Sequence, residues 1–226
     1  MSKWFEEQYA NPDSDYSRCY RYGVPRGAIE ENQYCTDFAI AVLGLHPLTD
    51  NILELGAGMG YVLDSWERRG FRCLGVEISP TAANLSERRN IVVNDALSAL
   101  RKMPDNAFSI GYSAQFLEHV PMSDLPALFV EMKRVAPLWA HYIAHEKGSD
   151  PSHVTIMEPQ QWIEHMNMWI DTTALGVPNP LYPHFPLFIH SSIGMPSRVM
   201  RSIMVRQTLE REHVGKNETT VEGVQG

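Results

Sequence analysis

The sequence predicts an α/β fold built on a mostly parallel sheet, and three observations carry that reading. Short apolar, strand-like stretches alternate with helix-like stretches from about residue 51 to residue 145. The connections between them are short, as they are where crossover helices join parallel strands. A glycine run, Gly56, Gly58 and Gly60, falls directly after the first strand. Such sheets receive their ligands at the carboxyl ends of the strands.

The elements follow in order. Residues 1–34 are rich in Tyr, Asp and Arg, carry the turn signal Asn11-Pro12-Asp13 and Pro25, and predict an irregular arm with short helices. From Thr36 to Leu45, Phe38, Ile40, Ala41, Val42 and Leu45 suit a buried helix that Pro47 stops. Asn51–Leu55 is the first strand. Tyr61–Arg69 is a helix with Tyr61, Val62 and Trp66 on one side and Gly70 at its end. Arg72–Ile78 is the second strand, and Pro80–Arg89 the helix after it, opened by Ser79 with Pro80 in the first turn. Ile91–Asn94, Phe108–Ser113 and Ala140–His145 are further strands, with a helix over Leu125–Val135 that Pro137 follows. Beyond residue 150 the pattern loosens: Gln160–Met168 reads as a helix, the four prolines of Val177–Pro186 as a loop and Arg198–Leu209 as a last strand. A polar, disordered tail is expected from about Val214. The division expected is one domain over 1–213, with 1–47 as its N-terminal arm, and the tail over 214–226.

Bulk properties narrow the function. The 226 residues suit one domain, and 44% hydrophobic residues supply an ordinary core. A formal charge of -8 argues against a generic binder of nucleic acid or anionic membrane. Cys19, Cys35 and Cys73 form no CxxC pair, which speaks against a disulfide framework or a zinc site and for reduced thiols. No apolar run approaches the ~20 residues of a membrane span, and the first residues lack a signal-peptide core. A soluble, cytoplasmic protein is expected.

The glycine loop carries the first functional signal. Glycine lets the backbone turn tightly and lets a ligand approach without meeting a Cβ. The spacing is G-x-G-x-G, and Tyr61 stands where the dinucleotide fingerprint needs its third glycine. Glu54 precedes the loop. Its carboxylate would repel a pyrophosphate and suits a ligand with a cationic amino group. Glu77 ends the second strand in Gly75-Val76-Glu77-Ile78, where an acid can accept both hydroxyls of a ribose. Asp95, in Val93-Asn94-Asp95-Ala96, can accept from an adenine amine or cap a following helix.

With these residues in register, the chain resembles the class I S-adenosylmethionine (SAM)-dependent methyltransferases, in particular small-molecule enzymes of the ubiquinone/menaquinone-methyltransferase type. The resemblance spans residues 48–146. It rests on Leu53–Gly60, Gly75–Ser79, Asn94–Ala96 and the stretch Phe108–Val120, which contains Gln115-Phe116-Leu117-Glu118-His119. It implies a Rossmann-like three-layer sandwich, with a seven-stranded sheet whose last strand is antiparallel. It implies SAM as cofactor and S-adenosylhomocysteine as product. Glu54, Gly56, Ala57, Gly58 and Gly60 would lie at the methionine end, Glu77 with Ile78 at the ribose, and Asp95 with Ala96 at the adenine. Ser113 and Gln115 would line the methyl group.

Methyl transfer from a sulfonium needs alignment and exclusion of water, often with a base for the acceptor's proton. The base candidates are His119, His145 and His153, each of which also admits a structural role. Metal ligation could also use these histidines, but no H-E-x-x-H or other clean ligand spacing is present, so no metal is expected. Tyr9, Tyr16, Arg18, Tyr20, Arg21, Tyr22 and Arg26 of the arm, and the late loop Tyr182–Pro186, are possible walls for an anionic or aromatic acceptor. Ser113-Ala114-Gln115-Phe116 stands where amino-methylating DNA enzymes carry an Asp/Asn-Pro-Pro-Tyr/Phe segment, and no cysteine follows a proline as the cytosine-C5 type requires. The reading is transfer to an oxygen or nitrogen of a small molecule, with a non-catalytic SAM-fold module as the alternative and a nicotinamide oxidoreductase disfavoured by Tyr61 and Glu54.

Overall fold

The computed structural model describes residues 2–11, 14, 26–86, 88–144, 150–169, 172–175 and 187–191. In chain order the elements are α1 (Ser2–Ala10), α2 (Arg26–Leu43), β1 (Asn51–Leu55), α3 (Tyr61–Arg68), β2 (Arg72–Glu77), α4 (Pro80–Leu85) and β3 (Ile91–Val93). There follow α5 (Ala96–Lys102), β4 (Ile110–Ala114), a 3-10 turn (Leu117–His119), α6 (Leu125–Val135), β5 (Leu138–Ile143), α7 (Pro159–Asn167), β6 (Thr172–Leu175) and β7 (Leu187–Ser191).

The fold is Rossmann-like. Five strands run parallel in the order β3-β2-β1-β4-β5. Beyond β5 lie β7 and then β6, with β7 antiparallel to both of its neighbours. The chain starts in the middle at β1, moves outward to β3 and then returns to β4. The crossovers therefore diverge between β1 and β4, and a crevice opens at the carboxyl ends of these two strands.

Period-two alternation splits the core between the two faces of the sheet. Ile52, Ile110 and Tyr112 pack with Ala39 and Leu43 of α2 and Val62 and Trp66 of α3. Leu53 and Leu55 point the other way, to Leu100, Phe129, Trp139 and Trp162. Gly111 makes room for Trp139, whose ring would lie 2.2 Å from a Cβ at that position. The Trp139 indole N–H donates to the Met132 and Ala136 carbonyls at 2.9 and 3.0 Å, which locks the ring over the end of α6.

Several boundaries move from those the sequence predicts. The helix expected at Thr36 begins at Arg26, within the stretch read as irregular arm. Ala28, Glu30, Glu31 and Gln33 favour a helix there without an apolar stripe to announce it. Helix α4 stops at Leu85 rather than Arg89. The Ser86 hydroxyl donates to the Ala83 carbonyl at 2.7 Å, and Arg88 turns aside to Asp64 and Glu67. The fifth strand lies two residues earlier than expected, at Leu138–Ile143. Strands β6 and β7 carry no signal that the sequence reading used. The Val177–Pro186 loop, the Arg198–Leu209 strand and the tail from Val214 lie outside the described residues. Among the described residues no helix is long and apolar enough to cross a membrane.

Candidate functional site

At the end of β1 the chain turns through the glycine loop. The N–H groups of Gly56 and Ala57 both donate to the Val76 carbonyl, at 2.9 and 3.0 Å, pinning the loop to β2. Gly56 has φ of 74°, and a Cβ there would lie 2.8 Å from the Phe116 ring, so both conformation and space require glycine. Glu77 organises the rest. One of its carboxylate oxygens accepts from Gly58 N and the other from Ser79 N, each at 2.8 Å. Ser79 in turn caps α4, its hydroxyl accepting from Ala82 N at 3.1 Å. Burial raises the Glu77 pKa, and the hydrogen bonds from Ser79, Gly58 and Ile78 oppose it.

These ends enclose a cavity of about 790 Å³, a size that suits a nucleoside-sized ligand with a small molecule beside it. Of the residues singled out in the sequence, Gly56, Gly58, Glu77, Ile78, Asp95, Ala96, Gln115, His119 and His153 line it. Asp95 caps α5, one oxygen accepting from Ser98 N at 2.9 Å. Desolvation pushes its pKa up, but the Ser98 hydrogen bonds outweigh that and hold the carboxyl below its usual range. Both of the roles weighed for it, cap and cavity wall, are thus available to one side chain. Gln115 sits at φ of 52°, unusual for a non-glycine residue, with its N–H held by the Tyr142 carbonyl at 2.8 Å.

Four singled-out residues stand behind the cavity rather than in its wall. Ser113 is fully buried and shares a 2.8 Å hydrogen bond with His141, because the pleat of β4 turns it into the sheet's covered face; it does not line the site. Gly60 is the cap residue of α3, and Arg88 lies against it. Ala57 packs against Gly75. Glu54 is buried, with one carboxylate oxygen lacking a hydrogen-bond partner. Burial drives its pKa well above the usual range, against the pull of Arg88. His145 lies outside the described residues, as do Tyr16, Arg18, Tyr20, Arg21, Tyr22 and the late loop Tyr182–Pro186. Arg26 is described in its backbone only, at the start of α2.

Helix α1 closes one side of the cavity with Phe5 and Tyr9. It is fastened by Glu6, whose carboxylate accepts from the Thr81 hydroxyl at 2.5 Å and from Thr81 N at 3.4 Å. Desolvation would raise the Glu6 pKa, but the bonds from Ser79 and Thr81 lower it. The sequence reading named Tyr9 and missed Phe5.

Beside Phe5 stand the histidines. His119 closes the 3-10 turn, edge-on to Phe5 and to His153 with ring centroids 5.3 and 4.8 Å apart. Its Nδ1 meets the Ser152 carbonyl at 3.2 Å and the Ser152 hydroxyl at 2.8 Å. A carbonyl only accepts, so Nδ1 carries the proton and Nε2 the lone pair of the neutral ring. Burial, with His153 beside it, lowers the His119 pKa to about 4. The Ser152 hydroxyl donates onward to Asp150 at 2.6 Å, and Asp150 lies 3.9 Å from His153 Nε2. Beneath them Glu118 is fully buried. One of its oxygens accepts from Ala144 N at 3.1 Å and the other has no partner. Burial lifts its pKa to about 7. The ligating atoms of Glu118, His119 and His153 lie within 4.8 Å of one another. The sequence alone weighs metal ligation by His119 and His153 and expects none; it does not join Glu118 to them, because His153 stands in a separate loop.

The residues fit SAM. Glycines without a Cβ stand in the wall, and Glu77 and Asp95 keep unused acceptor positions on it. Comparison with known proteins leads to the same class. The family model described as "Methyltransferase domain" matches residues 53–137. A malonyl-[acyl-carrier protein] O-methyltransferase of Serratia marcescens is 29% identical over 92 residues, 40% of this chain; the match spans 35% of that enzyme's length. A SAM-dependent methyltransferase from Archaeoglobus fulgidus superposes with a TM-score of 0.58 at 15% identity, over 73% of this chain and 94% of that one. The 1,6-didemethyltoxoflavin-N1-methyltransferase of Burkholderia thailandensis, solved with 1,6-didemethyltoxoflavin and S-adenosylhomocysteine, superposes with a TM-score of 0.54 at 16% identity, over 80% and 86%. At these identities the superpositions are a likeness of fold. Sheet order, glycine loop and family match agree: residues 53–137 match the methyltransferase domain, on a fold shared with SAM-dependent methyltransferases.

Proposed function

We propose that the chain transfers a methyl group from SAM to an oxygen or nitrogen of a small-molecule acceptor by in-line displacement. The observation that carries this is one cavity lined by two unlike groups of residues: Glu77 and Asp95 with the glycine loop, and His119, His153 and Asp150. SAM supplies an activated methyl on a sulfonium. The protein's part is to hold donor and acceptor in line and keep water out.

In this reading Glu77 and Ile78 hold the ribose, Asp95 and Ala96 the adenine, and Gly56 and Gly58 admit the methionine chain. Glu54 balances the amino group from behind the loop. Ala57, Gly60 and Ser113 act by shaping the wall. Gln115, in its strained backbone conformation, borders the methyl. His153, with Asp150 nearby, is the proton acceptor; His119 is tied to Ser152 and positions it. The aromatic rings of Phe5 and Tyr9 favour a flat acceptor, aromatic or anionic. Residues 1–213 form one domain in this reading, with the 1–47 arm as a lid and with β6 and β7 completing its seven-stranded sheet. Malonyl-[acyl-carrier protein] and 1,6-didemethyltoxoflavin, an O-acceptor and an N-acceptor named for the relatives above, are the first acceptors to try.

The test is calorimetric titration with SAM, S-adenosylhomocysteine and NAD, followed by an acceptor screen with labelled SAM. Binding of the two SAM species alone, and label transfer that weakens in His153→Gln, are expected. Absence of SAM binding ends the proposal. SAM binding without transfer to any acceptor would favour a non-catalytic module.

A further inference from the structure

We propose that Glu118, His119 and His153 form a site for a divalent first-row transition metal at the acceptor end of the cavity. One carboxylate and two imidazoles are a donor set that suits zinc and its neighbours. Their ligating atoms lie within 4.8 Å of one another. Ligands on a tetrahedral zinc with bonds of ~2.1 Å are about 3.4 Å apart, so side-chain rotations of about an ångström would close the set.

Independent observations point to an ion there. Glu118 is fully buried, and one of its carboxylate oxygens has no hydrogen-bond partner; the Nδ1 atom of His153 is buried and likewise without one. Unpaired acceptors in such a place are costly, and a shared cation would satisfy both. The supporting contacts also resemble those around metal ligands. His119 donates from Nδ1 to Ser152, which puts the lone pair of the neutral ring on Nε2, and Ser152 is held by Asp150. The backbone joins the two halves: the N–H groups of Val154 and Thr155 both donate to the Glu118 carbonyl at 3.0 Å, which fixes the His153 loop over the turn. His119 and His153 also line the cavity, so the ion would keep an open position facing it.

This rests on the methyl-transfer reading only in naming that end the acceptor end. It also gives His153 a different part, as a ligand and not a free proton acceptor.

The experiment is a Co²⁺ titration of the chelator-treated full chain, read by visible absorption, with Zn²⁺ as competitor. A saturable spectrum that Zn²⁺ displaces is expected. It should weaken ~10-fold or more in Glu118→Gln and in His153→Asn, and persist in His46→Gln, a control far along the sequence in the α2–β1 connection. Should Glu118→Gln fail to fold, the partly exposed His153→Asn decides alone. No Co²⁺ spectrum, or one that survives His153→Asn, overturns the metal site. SAM calorimetry on the same samples keeps the two readings apart: SAM binding without Co²⁺ binding removes the metal and leaves methyl transfer, whereas Co²⁺ binding without SAM binding does the reverse.

Discussion

Two parts of the cavity wall are built from different materials. Around the glycine loop the contacts are between carboxylates and backbone N–H groups. Glu77 accepts from Gly58 and Ser79, Asp95 accepts from Ser98, and each links residues fewer than about 20 positions apart. Around the histidines, contacts between side chains and across longer stretches join in, such as His119 with Ser152, 33 positions away. There the buried groups include atoms left without partners, in Glu118 and His153. A wall of backbone amides is fixed once the loop folds, and it suits a ligand shared by many proteins. A wall of side chains can be changed one residue at a time.

The largest effect should come from removing the residue that the loop wall depends on. Glu77→Ala takes away the acceptor of two backbone N–H groups, and hydrogen bonds to charged groups are each worth about 1.5–3 kcal/mol. SAM affinity is expected to fall ~10²-fold by calorimetry, while His153→Gln leaves it within about twofold and slows transfer. If the two variants weaken SAM binding equally, the division into donor and acceptor ends is wrong.

That division also explains what the sequence could disclose. Glu77, Asp95 and the glycines were legible because a strand end followed by a loop fixes where such residues must sit. The loop's geometry is local, and so is its signal. Glu54 and Ser113 were placed at the right strand ends but on the wrong side of the wall, since the pleat decides that and a four- or five-residue strand gives little evidence of its phase. The pairing of Glu118 with His153 was invisible, because it depends on where the loop after β5 returns. Phe5 was missed because α1 has no pronounced apolar stripe, and its place over the cavity comes from Glu6 reaching Thr81, 75 residues away.

A second test probes the buried support behind the cavity, between β4 and β5. His141 is buried against Ser113 and stacked on Trp139, and burial lowers its pKa to about 3. The unfolded chain, with an imidazole near 6.5, takes up the proton first as pH falls. Stability from the neutral ring is therefore present above about pH 6.5 and is lost progressively toward pH 3, at up to about 1.4 kcal/mol per pH unit. Denaturant melts from pH 7 to pH 4 should show that slope, and His141→Gln should flatten it. An unchanged slope would mean that other groups dominate acid unfolding.

A smaller signal should come from Glu54. Burial drives its carboxyl well above the usual range, and a cationic amine bound at the loop would favour the ionised form. SAM binding should therefore release protons at any pH where the unliganded carboxyl is still partly protonated. Calorimetry in buffers of different ionisation heat measures the release, and Glu54→Gln should remove it. Uptake rather than release would place the amine elsewhere.

The smallest effect, and the finest test of the contrast, lies in Asp95, which serves as both cap and wall. Removing a helix cap costs roughly 0.5–2 kcal/mol. Asp95→Ala should lower stability by that order and weaken SAM binding several-fold. Asp95→Asn can still accept from Ser98 N, so its stability should match the parent protein. Any loss of affinity in Asp95→Asn is then a loss at the ligand alone, because the backbone contact survives. If Asn binds SAM as the parent does and Ala does not, the amide oxygen suffices and charge at this position is immaterial. If both bind normally, Asp95 belongs to α5 only, and the adenine is held by backbone and apolar contacts from Ala96 and Leu97. That outcome would sharpen the comparison, leaving Glu77 as the side chain on which the loop wall turns.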